Sequence, residues 1–247
     1  MPVRRSVSRT LTALLSGRLV AGPRIEDAVR VAGELVSDGR RVALEHVPAP
    51  GNDVAAELTA LIAEIHAAGL AADCELTLAP EHREVVAVAS AAGLAVASTG
   101  DLVGATAIVG AGEPDAETRC RQRTSGRVRL VEGRGSAADL AFVRCLNVLM
   151  AADGRPGIAA SDRRLIAIAG ERAAWNGRAL DSWEHVMPFR VLTDEQHRLV
   201  AGGHTVRVTV PSGEGAAAPF GAHARPPKRR ATRAAAPAPE GTATRTA

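Results

Sequence analysis

Helical and strand patterns alternate along the sequence from about Pro23 to Gly213. Val29, Ala32 and Leu35 recur at helical spacing, and Gly39 follows at a position where glycine often ends a helix. The next residues, 41–47, form a short apolar run typical of a strand. Because strands and helices continue to alternate in this way, the chain is predicted to be an α/β protein with parallel strands.

Eight segments have the length and composition of strands. They are 41–47, 74–78, 94–97, 106–109, 127–131, 157–160, 183–187 and 205–210. Eight strands joined by helices favour a (βα)8 TIM-like barrel over an open sheet, and 247 residues suit a fold that typically needs roughly 250. Only about eight residues separate the third strand from the fourth, too few for a helical crossover. The third helix of the barrel is therefore predicted to be reduced or missing.

The two ends of the chain differ from the body in charge. Residues 1–17 are predicted to be a flexible basic leader, residues 18–213 the barrel, and residues 214–247 a disordered tail rich in Pro, Ala and Arg. From Ala216 onward six cations face one acid, so the tail contributes +5 to a formal net charge of +3 and the body is slightly acidic. Such a tail is either a solubilising extension or a site for nucleic acid or an anionic surface.

Composition excludes several kinds of chemistry from the body. The chain has no tyrosine, and its sole lysine is Lys228 in the tail, so a Schiff-base lysine, a Walker-type lysine and a tyrosine acid are excluded. Cys74, Cys120 and Cys145 lie far apart, which predicts neither a disulfide framework nor a zinc site and favours the cytoplasm. No histidine spacing predicts a metal site, and no apolar run is long enough to span a membrane.

Charged residues within and beside the strands are candidates for function. Glu75 and Arg129 interrupt apolar strands, so each is predicted to point into a barrel mouth or to pair with an opposite charge. The pairs Glu45-His46 and Glu184-His185 are placed at strand C-termini, where they are either acid–base groups or polar rim residues.

A glycine-rich turn offers a different candidate. Residues 133–138 fit G-x-G-x-x-A between a strand and a helix, and Asp162 follows at roughly the distance of a ribose-binding acid. This pattern keeps nucleotide binding open as an alternative function.

Several segments, in order, resemble the flavin-dependent proline dehydrogenase family. Residues 128–133 (VRLVEG) are similar to its VRLVKGAY segment, and residues 158–167 (IAASDRRLIA) to its IATHD-x-RLIA segment. Residues 183–187 and 194–200 resemble FE-x-QM and DEQ-x-RLV, and residues 203–211 resemble the closing strand G-x-RVRVYVP. With residues 18–22 resembling RFVAGE, the likeness covers most of residues 18–213.

The resemblance implies a distorted (βα)8 barrel that holds FAD at its C-terminal mouth and oxidises L-proline to pyrroline-5-carboxylate. By this resemblance, Arg129 matches the arginine that approaches the reactive flavin nitrogen. Val131 and Gly133 match backbone contacts with the cofactor, and Asp162 matches a polar contact at the sixth strand.

Many of the family's other functional positions differ in this chain. Glu132 and Glu75 stand where the family has lysines, Ala97 where it has an acid, Ser161 where it has the histidine of THD, and Thr209 where it has a tyrosine. The two glutamates are expected to make the mouth more negative. The eighth helix, whose arginines grip the proline carboxylate, has no counterpart. Catalytic residues therefore stay unassigned, and the two main hypotheses are a flavin-linked oxidoreductase acting on an amino acid and a degenerate barrel serving as a binding or regulatory module.

Overall fold

A computed structural model describes residues 19–217, and eight parallel strands within them close a barrel. The strands are β1 (Arg41–His46), β2 (Cys74–Leu78), β3 (Ala95–Ser98), β4 (Thr106–Gly110), β5 (Arg127–Val131), β6 (Arg155–Ala159), β7 (Glu184–Pro188) and β8 (Val206–Ser212). Each strand pairs with its sequence neighbours, and β8 pairs with β1 along six residue pairs from Arg41↔Arg207 to His46↔Ser212. The predicted TIM-like barrel is confirmed.

Seven α-helices pack around this barrel in the described part of the chain. They are α1 (Ile25–Ser37), α2 (Val54–Ala67), α3 (Glu84–Ala91), α4 (Ala116–Gln122), α5 (Ser136–Met150), α6 (Arg163–Trp175) and α7 (Thr193–Ala201). Short 3-10 helices occupy Pro80–His82 and Glu214–Ala217. No helix lies between β3 and β4, which pair directly in parallel, as their short separation in sequence predicts.

The seam between β8 and β1 is covered by the first helix of the described chain. Helix α1 contacts both β1 and β8, and Ala28 and Ala32 on its inner face are fully buried. Alanine at these positions lets the helix axis lie close to the strands. The barrel therefore closes although only a 3-10 turn follows β8 within residues 19–217.

The strand register shows which side chains face the barrel axis. Paired residues of neighbouring parallel strands point to the same side, and Ala43↔Glu75, Glu75↔Ala95 and Arg129↔Gly157 are such pairs. The inward positions thus combine small residues with long charged ones. The outward positions are bulky and apolar, and they pack under the helices: Val42, Leu44, Leu76, Val109, Leu130, Ile158 and Val208.

The described chain ends slightly beyond the predicted barrel boundary. The 3-10 turn at Glu214–Ala217 is held because the Gly215 N–H donates to the Val47 carbonyl at 2.9 Å. The predicted leader and the basic part of the predicted tail lie outside the described residues. Among residues 19–217, no helix has the length and apolarity needed to cross a membrane.

Candidate functional site

An ion-pair network fills the barrel interior. Glu75 on β2 is fully buried, with its Oε2 3.0 Å from Arg129 Nη2 and 3.4 Å from Arg207 Nε. Arg207 also pairs with Glu184, Nε to Oε1, at 2.8 Å. Both arginines are themselves buried, each 3% exposed. The space left by alanine and glycine at the inward positions is therefore occupied by charged side chains that neutralise one another.

The protonation state of Glu75 follows from this network. Burial acts to raise the pKa of Glu75, but the positive charges of Arg129 and Arg207 outweigh it, so that pKa lies below its ordinary value. Glu75 is therefore a buried counter-ion. The expectation that it makes the mouth more negative is wrong, because its charge lies inside the barrel beside two guanidinium groups.

Arg129 lies in the middle of β5, where the sequence places it inside the barrel. Its Nη1 is 3.5 Å from the Thr77 hydroxyl oxygen, on the side toward the C-terminal end of β2. The inward positions nearer the C-terminal mouth include Ala97, Gly110 and Ala159, all small. Val131 and Val186 pair with the last two of these residues and face the same way, so small and β-branched side chains together lie above the buried guanidinium.

The turn between β5 and α5 presents positive charge at the same rim. Gly135, with a φ of +88°, precedes α5, and no side chain caps the N-terminus of that helix. Arg134 beside it is exposed and has no ion-pair or hydrogen-bond partner within residues 19–217. Uncapped N–H groups and the positive end of a helix dipole favour an anion. This turn can therefore accept the phosphates of a nucleotide.

Gly133 and Val131 are fixed by contacts within the fold. A Cβ on Gly133 would lie 2.5 Å from the Ala138 Cβ, so only glycine allows the turn to approach α5. The Val131 carbonyl accepts a hydrogen bond from the Ala111 N–H at 2.8 Å. Both residues lie at the rim to which the resemblance assigns them. The Val131 carbonyl already accepts one hydrogen bond there.

Two carboxylates at this rim accept hydrogen bonds from backbone N–H groups. Asp162 caps α6 by accepting from the Arg164 N–H at 2.8 Å, and its hydrogen bond with the Arg164 side chain lowers the pKa of Asp162. Glu132 accepts hydrogen bonds from the N–H groups of Ser161 at 3.0 Å and Asp162 at 3.3 Å. These bonds connect the C-terminal ends of β5 and β6, so both acids shape the rim.

One of the two Glu-His pairs lies at a strand C-terminus as predicted, and the other does not. Glu184 begins β7, so the placement of Glu184-His185 at a strand C-terminus is wrong. His185 points outward between Trp183 and His204, with ring centroids 4.3 and 5.4 Å away, and burial lowers its pKa to about 4. These two residues therefore belong to the opposite end of the barrel from the predicted site.

His46 does end a strand, but it faces the helices. Its Nδ1 is 2.9 Å from the Ser212 hydroxyl and its Nε2 is 2.8 Å from Glu57 Oε1. Ser212 is fully buried, so this Ser–His–Glu chain gives a substrate no access to a nucleophile. It connects β8, β1 and α2 instead.

Comparison with known proteins gives similarity at the level of the fold. No family model matches the sequence, and no curated protein matches it. The structure is similar to proline utilization A (PutA) from Bdellovibrio bacteriovorus inactivated by N-propargylglycine, with a TM-score of 0.70 and 13% identity over 86% of this chain. The D779Y mutant of PutA from Bradyrhizobium japonicum gives a TM-score of 0.59 and 14% identity over 79% of this chain.

This chain has a PutA-like fold. The resemblance to the proline dehydrogenase family is thereby confirmed at the level of the fold. The chain covers 32% of the Bdellovibrio PutA and 29% of the Bradyrhizobium PutA, so it corresponds to about a third of those proteins.

Sequence reasoning missed two charged residues of the PutA-like barrel, Arg207 and Arg134. Arg207 completes the interior network by pairing with Glu184, and Arg134 is an exposed cation at the rim without an ion pair within residues 19–217. The alternation within β8 carried a signal for Arg207, since Arg207 and Thr209 share one face, but the direction of that face depends on the register with β1.

Proposed function

We propose that this PutA-like barrel binds FAD at its C-terminal mouth and is a proline dehydrogenase-like, flavin-linked oxidoreductase. The observation that carries the proposal is that one strand–turn–helix unit, β5–α5, offers Arg129 inside the barrel and, at the rim, both Arg134 and an uncapped helix N-terminus. A dinucleotide needs a donor near its ring and positive charge near its pyrophosphate. These residues therefore fit the group.

Each residue has a distinct part in this proposal. Arg134 and the first N–H groups of α5 would hold the pyrophosphate, and the backbone at Val131 and Gly133 would flank the cofactor. Arg129, held by Glu75 and Thr77, would supply a positive charge near the ring. The bound flavin would accept a hydride from the substrate. Asp162 would orient the β6–α6 turn through its cap and would not contact the cofactor directly.

The proposed substrate is an amino acid, with L-proline as the first compound to test. Two PutA structures similar to this chain are described as inactivated by N-propargylglycine and as having proline bound in remote sites. In this chain Ala97, Ser161 and Thr209 replace polar and aromatic groups that the resemblance places in the substrate site. We therefore expect weaker use of proline than in the family, or a changed amino acid.

Cofactor content tests the proposal. The purified full-length protein is expected to show flavin absorption, or to gain it on titration with FAD. Arg134→Gln is expected to weaken FAD binding about tenfold, because a charge-assisted contact with phosphate is lost. Arg30→Gln is the matched control, since Arg30 is an exposed arginine on α1 paired with Glu34. A protein that takes up no FAD contradicts the proposal.

The second candidate is a redox-inactive barrel that acts as a binding or regulatory module. The burial of Arg129 against Glu75 favours it, because that guanidinium already has a carboxylate partner. This candidate predicts a colourless protein that takes up no FAD and does not reduce dye with proline. Proline-dependent dye reduction by the FAD-loaded protein excludes it.

Cellular context is also a proposal. Three free buried cysteines suit a reducing cytoplasm. The basic C-terminal segment is proposed to be a solubilising extension. Nucleic-acid binding that weakens with salt and disappears when residues 218–247 are deleted would show instead that it is a binding segment.

A further inference from the structure

Three arginines surround the N-terminal mouth of the barrel, opposite the proposed flavin site. Arg41, Arg127 and Arg155 are the first residues of β1, β5 and β6. They line one small hollow together with Trp183, Glu184 and Thr205, and Arg127 pairs in register with Arg155. Two guanidinium groups on directly opposed positions of neighbouring strands repel each other.

The carboxylates nearby do not balance these arginines. The exposed Arg127 side chain makes neither an ion pair nor a hydrogen bond within residues 19–217, although its positive charge helps to lower the pKa of Glu75. Arg155 donates to the Asp181 backbone carbonyl at 3.1 Å, and Arg41 reaches only to 3.9 Å from Glu184 Oε2. Glu184 is closer to Arg207, whose Nε is 2.8 Å from Glu184 Oε1. The exposed arginines thus share carboxylates that the interior already uses.

The whole network is positive. Five arginines (Arg41, Arg127, Arg129, Arg155 and Arg207) face three carboxylates (Glu75, Asp181 and Glu184), an excess of two positive charges. Glu75 is enclosed by Arg129 and Arg207, so the excess lies at the mouth. Guanidinium groups bind phosphate through paired N–H donors, and a recessed site focuses the positive potential.

A larger hollow adjoins the arginines. It has a volume of about 530 Å³ and shares Arg155 and Asp181 with the small hollow lined by the three arginines. Its lining is polar and includes Asp153, Asn176 and Ser182. Carboxylate, amide and hydroxyl groups pair with the hydroxyls of a sugar, and this volume lies within the range of roughly 300–1,000 Å³ typical of small-molecule pockets.

We propose that the N-terminal mouth binds the phosphate monoester of a small polyhydroxylated compound. The phosphate contacts Arg127, Arg155 and Arg41, and the hydroxylated body occupies the adjoining hollow beside Asp153 and Asn176. This site is separate from the C-terminal mouth and does not depend on the proposed flavin function.

Calorimetric titration of the full-length protein tests the site with three probes. Ribose 5-phosphate is expected to bind, inorganic phosphate to bind more weakly, and ribose not to bind at millimolar concentrations. Binding of ribose 5-phosphate is expected to weaken as sodium chloride increases, because the contact is electrostatic. Absence of ribose 5-phosphate binding, or equal binding of ribose, overturns the proposal.

Two variants assign the parts of the site. Arg127→Gln is expected to weaken ribose 5-phosphate binding about tenfold with little change in the melting temperature, since the exposed Arg127 side chain makes no ion pair or hydrogen bond within residues 19–217. Arg30→Gln, an exposed arginine on α1, is expected to bind like the wild type. Asp153→Asn is expected to change the affinity for ribose 5-phosphate and to leave the affinity for inorganic phosphate unchanged. Equal affinities in Arg127→Gln and Arg30→Gln, or no effect of Asp153→Asn, count against the assignment.

Discussion

The cost of burying a charged residue inside this barrel depends on its ion-pair partners. Glu75 would be costly to bury as an isolated charge, and it is tolerated because two arginines lie within 3.4 Å of it. The same arginines satisfy other groups, since Arg207 Nη1 donates to the Val42 carbonyl at 3.0 Å. Removing one charge therefore affects several strands at once.

Replacement of Glu75 tests this dependence. Glu75→Gln leaves Arg129 and Arg207 buried without a full counter-charge and is expected to lower the free energy of unfolding by about 3 kcal/mol. Because the pKa of Glu75 is depressed in the fold, its stabilisation is present above its unfolded pKa of about 4.3 and is lost as pH falls through the lower folded value. Urea unfolding at neutral pH measures the effect, and Glu34→Gln on the exposed face of α1 is the control. Equal stability of the two variants would show that the pairs contribute nothing.

His185 gives a second pH dependence in the same direction, although here the fold favours the uncharged form of the side chain. Burial lowers its pKa to about 4, so the unfolded chain, in which histidine titrates near 6.5, binds more protons between these values. Stability is therefore expected to rise from about pH 4 to 6.5, with a gain of about 2 kcal/mol between pH 5 and 7.5. His185→Phe should remove most of this dependence in urea unfolding at the two pH values, whereas His66→Phe, on an exposed helix face, should preserve it.

At the scale of elements, two variants of Asp162 distinguish a helix-capping role from a cofactor-binding role. Asp162→Ala removes the cap of α6 and is expected to lower the melting temperature by about 2–4 °C, while Asp162→Asn keeps an acceptor and changes it little. FAD affinity should be nearly equal in both variants, because the carboxylate faces Arg164. A large loss of FAD affinity in Asp162→Asn, with normal stability, would show direct contact with the cofactor.

The order of elements could be predicted from the sequence, and the faces of several strands could not. Periodicity gives the eight strands because their outward sides must be apolar to pack under helices. Whether Glu184 starts or ends its strand depends on where the preceding turn ends. A shift of a few residues in the strand boundary moves Glu184 from one mouth of the barrel to the other. His46 was placed at the correct end, but its outward direction follows from pairing with Ser212, which is 166 residues away.

Closure of the barrel is a property of the whole chain. The helical pattern of residues 25–37 indicates α1, but nothing local indicates that α1 lies on β8, a contact between the two ends of the described chain. Non-local contacts of this kind are invisible to periodicity. The two mouths also differ in charge: the C-terminal turns carry Arg134 and the hydrogen-bonded acids Glu132 and Asp162, and the N-terminal strand ends carry Arg41, Arg127 and Arg155.

The two mouths are expected to bind independently. The buried Glu75, Arg129 and Arg207 side chains lie inside the barrel between the two mouths and separate a ligand in one from a ligand in the other. Arg127→Gln should therefore leave FAD affinity unchanged, and Arg134→Gln should leave ribose 5-phosphate affinity unchanged. Titration of FAD with and without saturating ribose 5-phosphate should give affinities within about twofold of each other. A larger difference, seen equally in the reverse titration, would mean that the interior ion pairs transmit binding from one mouth to the other.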